Sequence, residues 1–509
     1  MTGSGRGRGF VAAFLLCAAC SVAPLALAPW PPFVDVPQHA AQVRLWIDLA
    51  GGDPSAREAY VLNPFTPYLL GYSLARAGAV LLGVAGGIRA ALVLALLGLP
   101  AAGAVLLRVL RRDPWWSLAL FPLAWGFATW WGFFNYVLAL PLGVLFVAGV
   151  AAHLRRPRLA GAVAVGLGSL LLFWAHLLVL GAAGLAAGLL GLADLAGHAR
   201  DRGAGEGLGL RAVLSLGPLL LPLPLMAAWM RFTWSGEAQV RHPLEWGAAW
   251  LRPLELPGLL LGGSTDRVAA AVLLLAVAGF ALAGVRLRAR DLPRGYPLVP
   301  VAALVLFLGA PVFAFGTAML YERFAVLAAT FALPLLALRD GRSPRAARAV
   351  LLLFALAWSG ILAWRMAGYA AEIRDLRAVI AAVPERPRLR YLPVSLRSPR
   401  IPEFPVFLQS GAWVQVERGG FLGFSFAQYF PELVRYRETP PCAVPLGREA
   451  DWRSFRWARE RFCFDLFLVH APRDPAPVLF RGAGDALVTV ARAGNWWLYR
   501  IDTGDGRRR

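Results

Sequence analysis

Four ionisable residues stand close together in the stretch PPFVDVPQHAAQVRLWIDLA, which covers residues 31–50. The carboxylate of Asp35 could take a proton from a hydroxyl group during a group transfer. Arg44 offers a planar fork of donors that suits phosphate, and it could also pair with Asp48 four residues on. His39 could orient a carboxylate or contact a phosphate. A hydrophobic run precedes this stretch and further runs follow it, so these residues lie in a loop beside apolar segments.

The same loop also has a purely structural interpretation. Asp35 is a preferred N-cap, Pro37 suits a first helical turn, and Gln38 follows three residues on, as in a capping box. The apolar spacing predicts an amphipathic helix on the outer membrane surface within the loop 30–64. For Asp35 the local pattern supports capping and catalysis equally. For His39 it favours an interfacial histidine without a chemical role.

The composition is that of a membrane protein. Of the 509 residues, 58% are hydrophobic and 16% are charged, and the mean hydropathy is +0.58. Soluble domains are about 45–50% apolar and about 25% charged. The apolar residues form about twelve runs of a length that crosses a bilayer. The sequence therefore predicts a multi-spanning α-helical membrane protein with roughly 11–13 transmembrane helices.

The basic residues are placed as in a membrane protein. All 51 are arginines, the formal net charge is +21, and they cluster at the ends of apolar runs, at 111–112, 155–156, 286–294 and 339–348. The positive-inside rule predicts this placement at cytoplasmic ends, so we expect no nucleic-acid partner. We expect a cytoplasmic N-terminus and an uncleaved first span. Two spans within 65–110 would leave the arginines at 111–112 outside, so one of these runs is predicted to be re-entrant or interfacial.

The pattern changes near residue 369. We expect a transmembrane domain over residues 1–368 and a small soluble α/β extracytoplasmic domain over 369–509. The stretch YAAEIRDLRAVIAAV has helical spacing, whereas RLRYLPV, FDLFLVHAP and DALVTVARAGNWWLYRID predict strands, the last one a hairpin. Cys442 and Cys463 would form a disulfide only in an oxidising compartment, and the spacing leaves their pairing open.

An acidic first outer loop, many spans and a C-terminal extracytoplasmic domain together resemble the GT-C superfamily of membrane glycosyltransferases. More narrowly, the D-x-P-x-H motif at 35–39, the GGF…F pattern at 419–421 and Phe426, and FFNYVLALPLG at 133–143 are similar to patches of uncharacterised bacterial membrane proteins. The resemblance implies an inverting transfer of a sugar from a polyprenyl-phosphate donor to an extracytoplasmic acceptor. It also implies that Asp35 is the catalytic base.

The resemblance suggests roles for the other residues. His39 would assist Asp35 or contact the phosphate, and Arg44 and Arg323 would bind the leaving phosphate.

Glu322, in the stretch YERF between two apolar runs, is the leading candidate for a second acidic residue of the substrate site, ahead of Asp53 and Glu58. The local pattern itself favours a different view of Glu322 and Arg323, as a solvated pair of compensating charges.

No metal-ligand spacing, nucleotide-binding motif or serine-nucleophile motif is present in the sequence, so we predict no metal. The resemblance leaves room for a divalent cation. The expected partners are membrane lipid, the lipid-linked donor, and a glycan, lipid or protein acceptor, in a bacterial inner membrane. Two alternatives remain: a transporter or lipid-linked sugar flippase, and a non-catalytic membrane scaffold in which Asp35 only caps its helix.

Overall fold

A computed structural model describes residues 3–202, 207–234, 244–314, 317–429 and 431–502. Their contacts define two compact units. The helical unit comprises residues 1–23, 67–71 and 92–361, and the mixed unit comprises residues 24–66, 72–91 and 362–509. The first loop thus belongs to the same unit as the C-terminal region, and the domain boundary at residue 368 stays a prediction.

The described residues form helices α1 (Gly3–Val22), α2 (Val36–Ala50), α3 (Pro54–Ala59), α4 (Leu69–Val109), α5 (Leu120–Leu123), α6 (Phe127–Trp131), α7 (Phe134–His153), α8 (Leu159–Ala175), α9 (Leu177–Arg202), α10 (Leu208–Leu220), α11 (Leu223–Trp234), α12 (Arg252–Leu261), α13 (Arg267–Leu282), α14 (Leu298–Gly309), α15 (Phe324–Ala332), α16 (Pro344–Ile380), α17 (Ala412–Arg418), α18 (Trp457–Glu460) and α19 (Ala476–Leu479). Their strands are β1 (Tyr60–Leu62), β2 (Val285–Leu287), β3 (Phe313–Ala314), β4 (Thr317–Ala318), β5 (Leu336–Leu338), β6 (Arg388–Pro393), β7 (Phe421–Leu422), β8 (Val434–Tyr436), β9 (Leu466–His470), β10 (Leu487–Ala493) and β11 (Trp496–Ile501).

The helices confirm a multi-spanning membrane protein. Within the described part of the chain, six helices are long and apolar enough to cross a bilayer: Gly7–Ala26, Leu69–Val109, Phe134–His153, Leu177–Asp201, Leu208–Phe232 and Pro344–Ile380. Shorter apolar helices account for four further runs, at Leu159–Ala175, Arg267–Leu282, Leu298–Gly309 and Phe324–Leu335. In the helical unit, α7 packs against α8 and α9, and α14 packs against α9 and α15.

The ambiguous region 65–110 contains a sharply bent helix. Gly83, with φ +70° and ψ 170°, divides α4 into two helical segments. A Cβ atom on Gly87 would lie 2.3 Å from the carbonyl oxygen of Ala75, so the second segment folds back onto the first. A straight helix would separate these residues by about 18 Å along its axis. The first segment is too short to cross a bilayer, whereas the second is long enough. One full span in this region removes the conflict with the charge rule.

The arginine-rich chain segments meet at one end of the helical unit. Arg155 donates a hydrogen bond to the last carbonyl of α4. Arg112 Nη2 donates to the carbonyl oxygen of Arg288 at 2.9 Å, and Arg348 Nη2 lies 3.3 Å from Asp113 Oδ2. The arginines at 111–112 therefore share an end with those of the later loops, as the positive-inside rule requires. Which side of the membrane this end faces stays a prediction.

The mixed unit is built on a five-stranded sheet with the order β10-β11-β9-β6-β7. Strands β10, β11 and β9 pair antiparallel, whereas β6 runs parallel to β9 and to β7. The predicted strands and the final hairpin are thereby confirmed. Phe467, Val469 and Trp497 are buried in the core of this sheet. Cys442 and Cys463 form a disulfide beside it, which closes the question that their spacing left open.

The first loop packs into the mixed unit through its own elements. Strand β1 pairs antiparallel with β8, with Tyr60 opposite Tyr436. Helix α2 packs against α17 and β8. Residues at the start of the chain are thus held by residues more than 350 positions later, and this arrangement positions the candidate site.

Candidate functional site

Asp35 precedes the first turn of α2, but its side chain does not cap the helix. The residue occupies the N-cap position with φ −92° and ψ −10°, and its carboxylate accepts no capping hydrogen bond. In the same loop, the Asp53 side chain does cap its helix, because its Oδ1 accepts a hydrogen bond from the backbone N–H of Ala56 at 3.1 Å. Of the two roles that the local pattern left open for Asp35, capping by the side chain is not found. The carboxylate is half-buried.

The capping box is also wrong, because Gln38 is used elsewhere. Its Nε2 donates to Oε1 of Gln409 at 3.1 Å, and its Oε1 accepts from the backbone N–H of Phe426 at 3.1 Å. Gln42 exchanges two hydrogen bonds with the backbone of Val434, at 3.0 and 2.7 Å. The polar side of α2 is thus buried and hydrogen-bonded within the mixed unit.

A buried row of hydrogen bonds begins one turn into α2. His39 Nδ1 lies 2.7 Å from the hydroxyl oxygen of Tyr72, and that hydroxyl donates to a carboxylate oxygen of Glu432. The three residues are 7%, 0% and 6% exposed. Because the Tyr72 proton is given to Glu432, the Tyr72 oxygen accepts from His39 Nδ1–H, and Nε2 is the unprotonated nitrogen.

Burial controls the protonation of this row. It raises the pKa of Glu432 to about 7, although the hydrogen bond from Tyr72 acts in the opposite direction. It lowers the pKa of His39 to about 3, so His39 is neutral at physiological pH and brings no positive charge to a phosphate. Burial also raises the pKa of Tyr429, and the nearby charges of Glu449, Asp35 and Glu432 add to that effect.

Hydrogen bonds join His39, Tyr72 and Glu432, and the charges of Asp35 and Glu432 both act on Tyr429. These five residues are here called the Asp35 cluster. The sequence predicted two of these residues and missed Tyr72, Tyr429 and Glu432. The one local signal for Glu432 is a single acidic residue among apolar neighbours in the stretch FPELV.

The GGF…F pattern lies beside the first-loop motif. Gly420 has φ +79°, and a Cβ atom there would lie 2.4 Å from the carbonyl oxygen of Pro387, so only glycine fits. Phe426 packs edge-on against His39, with ring centroids 5.5 Å apart. The two motifs of the resemblance are therefore neighbours within the mixed unit.

Arg44 confirms the predicted pair with Asp48, since its Nε lies 2.9 and 3.0 Å from the two carboxylate oxygens. Its Nη1 donates to the carbonyl oxygen of Val416 at 2.9 Å. Nη2 makes no hydrogen bond to the residues that the structure describes, and it lies 3.4 Å from where a Cβ atom on Gly419 would stand. Three of the five N–H donors of this guanidinium, one on Nη1 and both on Nη2, therefore make no hydrogen bond to the described residues and could reach a phosphate.

A second acidic group, here called the Glu322 cluster, lies in the helical unit and consists of Arg252, Glu255, Tyr321 and Glu322. The Tyr321 hydroxyl donates to Glu255 Oε2 at 2.6 Å, and the Arg252 guanidinium stacks 4.1 Å from the Tyr321 ring centroid. Glu322 is half-buried, and its Oε2 has no hydrogen-bond partner among the described residues. Burial raises the pKa of Glu322 to about 7, against the opposing charges of Arg323 and Arg252.

Arg323 is a buried arginine and not half of a solvated pair. It is 9% exposed, and its Nε and Nη2 donate to the carbonyl oxygens of Met319 and Ala318, both at 3.2 Å. Its guanidinium lies 3.6 Å from the ring centroid of Phe133, in the FFNY stretch. The solvated, compensating pair expected from the local pattern is therefore wrong. A buried guanidinium on an aromatic ring is a fixed positive charge.

The other acidic candidates are placed differently. Asp53 caps α3 and forms an ion pair with Arg386. Glu58 is exposed on α3. Among the described residues, no group of three or more histidine, cysteine, aspartate or glutamate side chains could hold a metal ion.

The architecture defines the class of protein first: a multi-spanning helical membrane protein with a GT-C-like fold and a small C-terminal α/β region. The chain is similar to the crystal structure of ArnT from Cupriavidus metallidurans bound to undecaprenyl phosphate, with a TM-score of 0.53 and 14% identity over 100% of both chains.

A second solved structure, the Archaeoglobus fulgidus oligosaccharyltransferase in the apo form, gives a TM-score of 0.45 and 11% identity, over 92% of this chain and 70% of that one. No family model matches the sequence. The comparison with curated proteins gave no significant match.

Proposed function

We propose that this protein is a glycosyltransferase that moves a sugar from a polyprenyl-phosphate carrier to an acceptor outside the cytoplasm of a bacterial cell. The fold is similar to that of a protein whose structure holds undecaprenyl phosphate. The observation that carries the proposal is the Asp35 carboxylate, which begins α2 without capping it. A scaffold that needs Asp35 only to start the helix would use the carboxylate as Asp53 uses its own.

In the proposed reaction Asp35 takes the proton of the acceptor hydroxyl. The acceptor oxygen then forms a bond to the anomeric carbon, and the bond from that carbon to the carrier phosphate breaks on the opposite face. The phosphate leaves with the electron pair, and the configuration at the anomeric carbon inverts. Such base assistance typically contributes a factor of about 10² to 10⁴ in rate.

The row of His39, Tyr72 and Glu432 would act through position. His39 lies one helical turn after Asp35, and its hydrogen bond to the fully buried Tyr72 fixes the start of α2 against the C-terminal region. We therefore assign His39 to positioning the base, in place of direct contact with the phosphate, because it is neutral.

Arginines would neutralise the leaving phosphate. We propose Arg44, through its Nη2, and Arg323, through its buried guanidinium, as the residues that bind this phosphate. We propose Glu322 as a second acidic residue that binds the donor sugar. Replacement of Arg323 by Lys keeps the charge and loses the planar fork, so the KM for the donor should rise more than kcat falls.

The test compares Asp35→Asn with Asp53→Asn in the purified full chain. Both changes remove one carboxylate from the same loop. Asn is a good N-cap, which preserves the cap of α3 in Asp53→Asn, and Asp35→Asn removes no capping hydrogen bond, so both variants should unfold near the wild-type temperature. Radiolabelled polyprenyl-phosphate sugars serve as donors, and transfer and hydrolysis are both measured. We expect Asp35→Asn to lose at least about a hundredfold in rate and Asp53→Asn to stay near wild type.

Two results would contradict the proposal. In the first, the two variants turn over a donor equally well. In the second, the wild type neither turns over any donor nor is stabilised against unfolding by undecaprenyl phosphate.

A further inference from the structure

A cleft of about 710 Å³ opens at the arginine-rich end of the helical unit, where α4 and α7 end. Its charged lining consists of Arg111, Arg155, Arg156 and Asp291. Apolar residues from the same chain segments complete it, among them Ala152. The three arginines come from two different helix ends, so the fold brings them together.

The cleft carries positive charge that the protein itself does not neutralise. Asp291 is already paired, with Arg288 Nε at 3.0 Å and Arg112 Nη1 at 3.6 Å. The side chains of Arg111 and Arg156 make no hydrogen bond or ion pair to the residues that the structure describes, and both are exposed. Guanidinium groups in this state are suited to bidentate binding of phosphate oxygens.

Arg111 has a left-handed backbone conformation, which favours glycine. It follows the end of α4 with φ +56°, and the backbone N–H of Arg112 donates to the carbonyl oxygen of Leu107 at 2.7 Å, which closes the helix end. A left-handed residue at this position is most often glycine, because a Cβ atom is unfavourable there. The positive-inside rule accounts for arginines at this end but not for one in this conformation. The Arg111 side chain is thereby held at the cleft.

An apolar stripe leads from the cleft along α7. Leu145, Gly149 and Ala152 are exposed and lie on one face of this membrane-spanning helix, and the exposed Arg156 continues that face past its end. A headgroup in the cleft would thus have a lipid-facing apolar surface beside it, which a free phosphate compound would leave unused.

We propose that this cleft binds the phosphate headgroup of an anionic phospholipid, with an acyl chain along the α7 stripe. Basic pockets between membrane helices hold multiply charged lipid headgroups in this manner. The site does not involve the Asp35 cluster, so the proposal stands or falls separately from the proposed transfer reaction.

The test uses the purified full chain in neutral detergent. Thermal unfolding is followed while diphosphatidylglycerol is added, and the lipid concentration at half-maximal stabilisation is measured. Phosphatidylethanolamine is the zwitterionic control and inorganic pyrophosphate is the soluble one. The variants are Arg111→Gly and Arg156→Gln, with Arg345→Gln as the matched control. Arg345 is an exposed arginine in the first turn of α16 and does not line the cleft.

We expect diphosphatidylglycerol to stabilise the wild type, and each cleft variant to need about tenfold more lipid, as the loss of one charge-assisted contact implies. Arg345→Gln should titrate like wild type. Without lipid, Arg111→Gly should unfold no earlier than wild type, because glycine suits the left-handed position. If Arg111→Gly does not fold, Arg156→Gln decides the result.

Three outcomes overturn the proposal. The cleft variants could titrate like Arg345→Gln, which would mean a general attraction to charge. Phosphatidylethanolamine could stabilise as well as diphosphatidylglycerol, which would remove the need for anionic lipid. Pyrophosphate could saturate the stabilisation at the same concentration, which would identify a soluble phosphate compound as the ligand.

Discussion

Replacement of Glu432 by Gln should stabilise the protein at neutral and alkaline pH. Glu432 is 6% exposed, and burial raises its pKa from the ordinary 4.5 to about 7. A carboxyl group whose pKa is raised on folding favours the folded state only while it is protonated. Its contribution is therefore complete below about pH 4.5 and is lost as the pH rises through about 7. Gln imitates the protonated form at every pH and still accepts the Tyr72 hydroxyl.

The size of the effect follows from the two pKa values. The interval from 4.5 to about 7, at 1.36 kcal/mol for each pH unit, corresponds to about 3 kcal/mol at pH 8. The shift is roughly 2–4 °C for each kcal/mol in proteins of 150–250 residues and about half of that in a chain twice as long, so the unfolding temperature of Glu432→Gln should exceed that of wild type by roughly 3–6 °C. The difference should shrink steadily toward pH 5. His39 contributes equally to both proteins, because its pKa of about 3 keeps it neutral throughout.

The assay is thermal unfolding of the purified full chain, followed by tryptophan fluorescence at intervals from pH 5 to 9. Glu438→Gln is the control, since Glu438 is exposed in the same segment and should show no pH-dependent gain. Earlier unfolding of Glu432→Gln than of wild type at pH 8 would contradict this prediction. That result would mean that Glu432 is ionised at little cost and that its hydrogen bond with Tyr72 stabilises the fold.

Three further predictions concern stability. Tyr72→Phe should cost about 1–3 kcal/mol, because the buried Glu432 loses its donor. Glu432→Gln in the same chain should make this cost smaller, as measured by a thermal double-mutant cycle with both single variants. Strictly additive effects of the two changes would contradict the hydrogen bond. Gly420→Ala should lower the free energy of unfolding by about 2–4 kcal/mol in denaturant, and the control Gly447→Ala by only about 1–2 kcal/mol. Both glycines have positive φ, but only at Gly420 would the new Cβ atom meet a backbone oxygen. Equal losses in the two variants would argue against that contact. Replacing both cysteines of the C-terminal disulfide by Ser should lower the free energy of unfolding by about 3 kcal/mol. The control is wild type unfolded with and without reductant. Equal stability of wild type in both conditions would contradict a stabilising disulfide.

Much of the local structure could be predicted from the sequence, because local patterns determine it. The apolar spacing after Asp35 predicted α2, and alternating residues predicted β6, β9 and the hairpin of β10 and β11. The pair of Arg44 and Asp48 followed from a separation of one helical turn. In each case the residues that interact are close in the sequence or share one repeat.

Only part of the candidate site could be predicted from the sequence, because the residues that interact in it are far apart along the chain. Gln38 fitted a capping box three residues after Asp35, but Gln409, 371 residues away, takes its amide instead. Tyr72 is one polar residue in an apolar run, and nothing near it indicates a partner 360 residues later. A polar residue that fits a local pattern can also bond to residues that are remote in the sequence. Once it is buried, it forms the hydrogen bonds that the folded chain offers at that place.

Glycines were the least predictable elements. The sequence predicted that one of the runs within 65–110 is re-entrant or interfacial, but it did not locate the bend at Gly83, because the stretch GVAGG fits a continuous apolar helix equally well. The two glycines of GGF were matched as a motif, but their reason lies in the approach of Pro387 to Gly420.

The pairing of the first loop with the end of the chain has a consequence for synthesis in the cell. Ribosomes add about 5–20 residues per second, so the 371 residues that separate Gln38 from Gln409 take roughly 20–75 s to make. Throughout that interval the amides of α2 lack the partners that will bury them, while the helices that follow are inserted into the bilayer. A ribosome that stalls before residue 409 leaves this loop unassembled, however well those helices have been inserted. The Asp35 cluster is thus completed only after Glu432 has been made, so the proposed transfer requires a nearly finished chain.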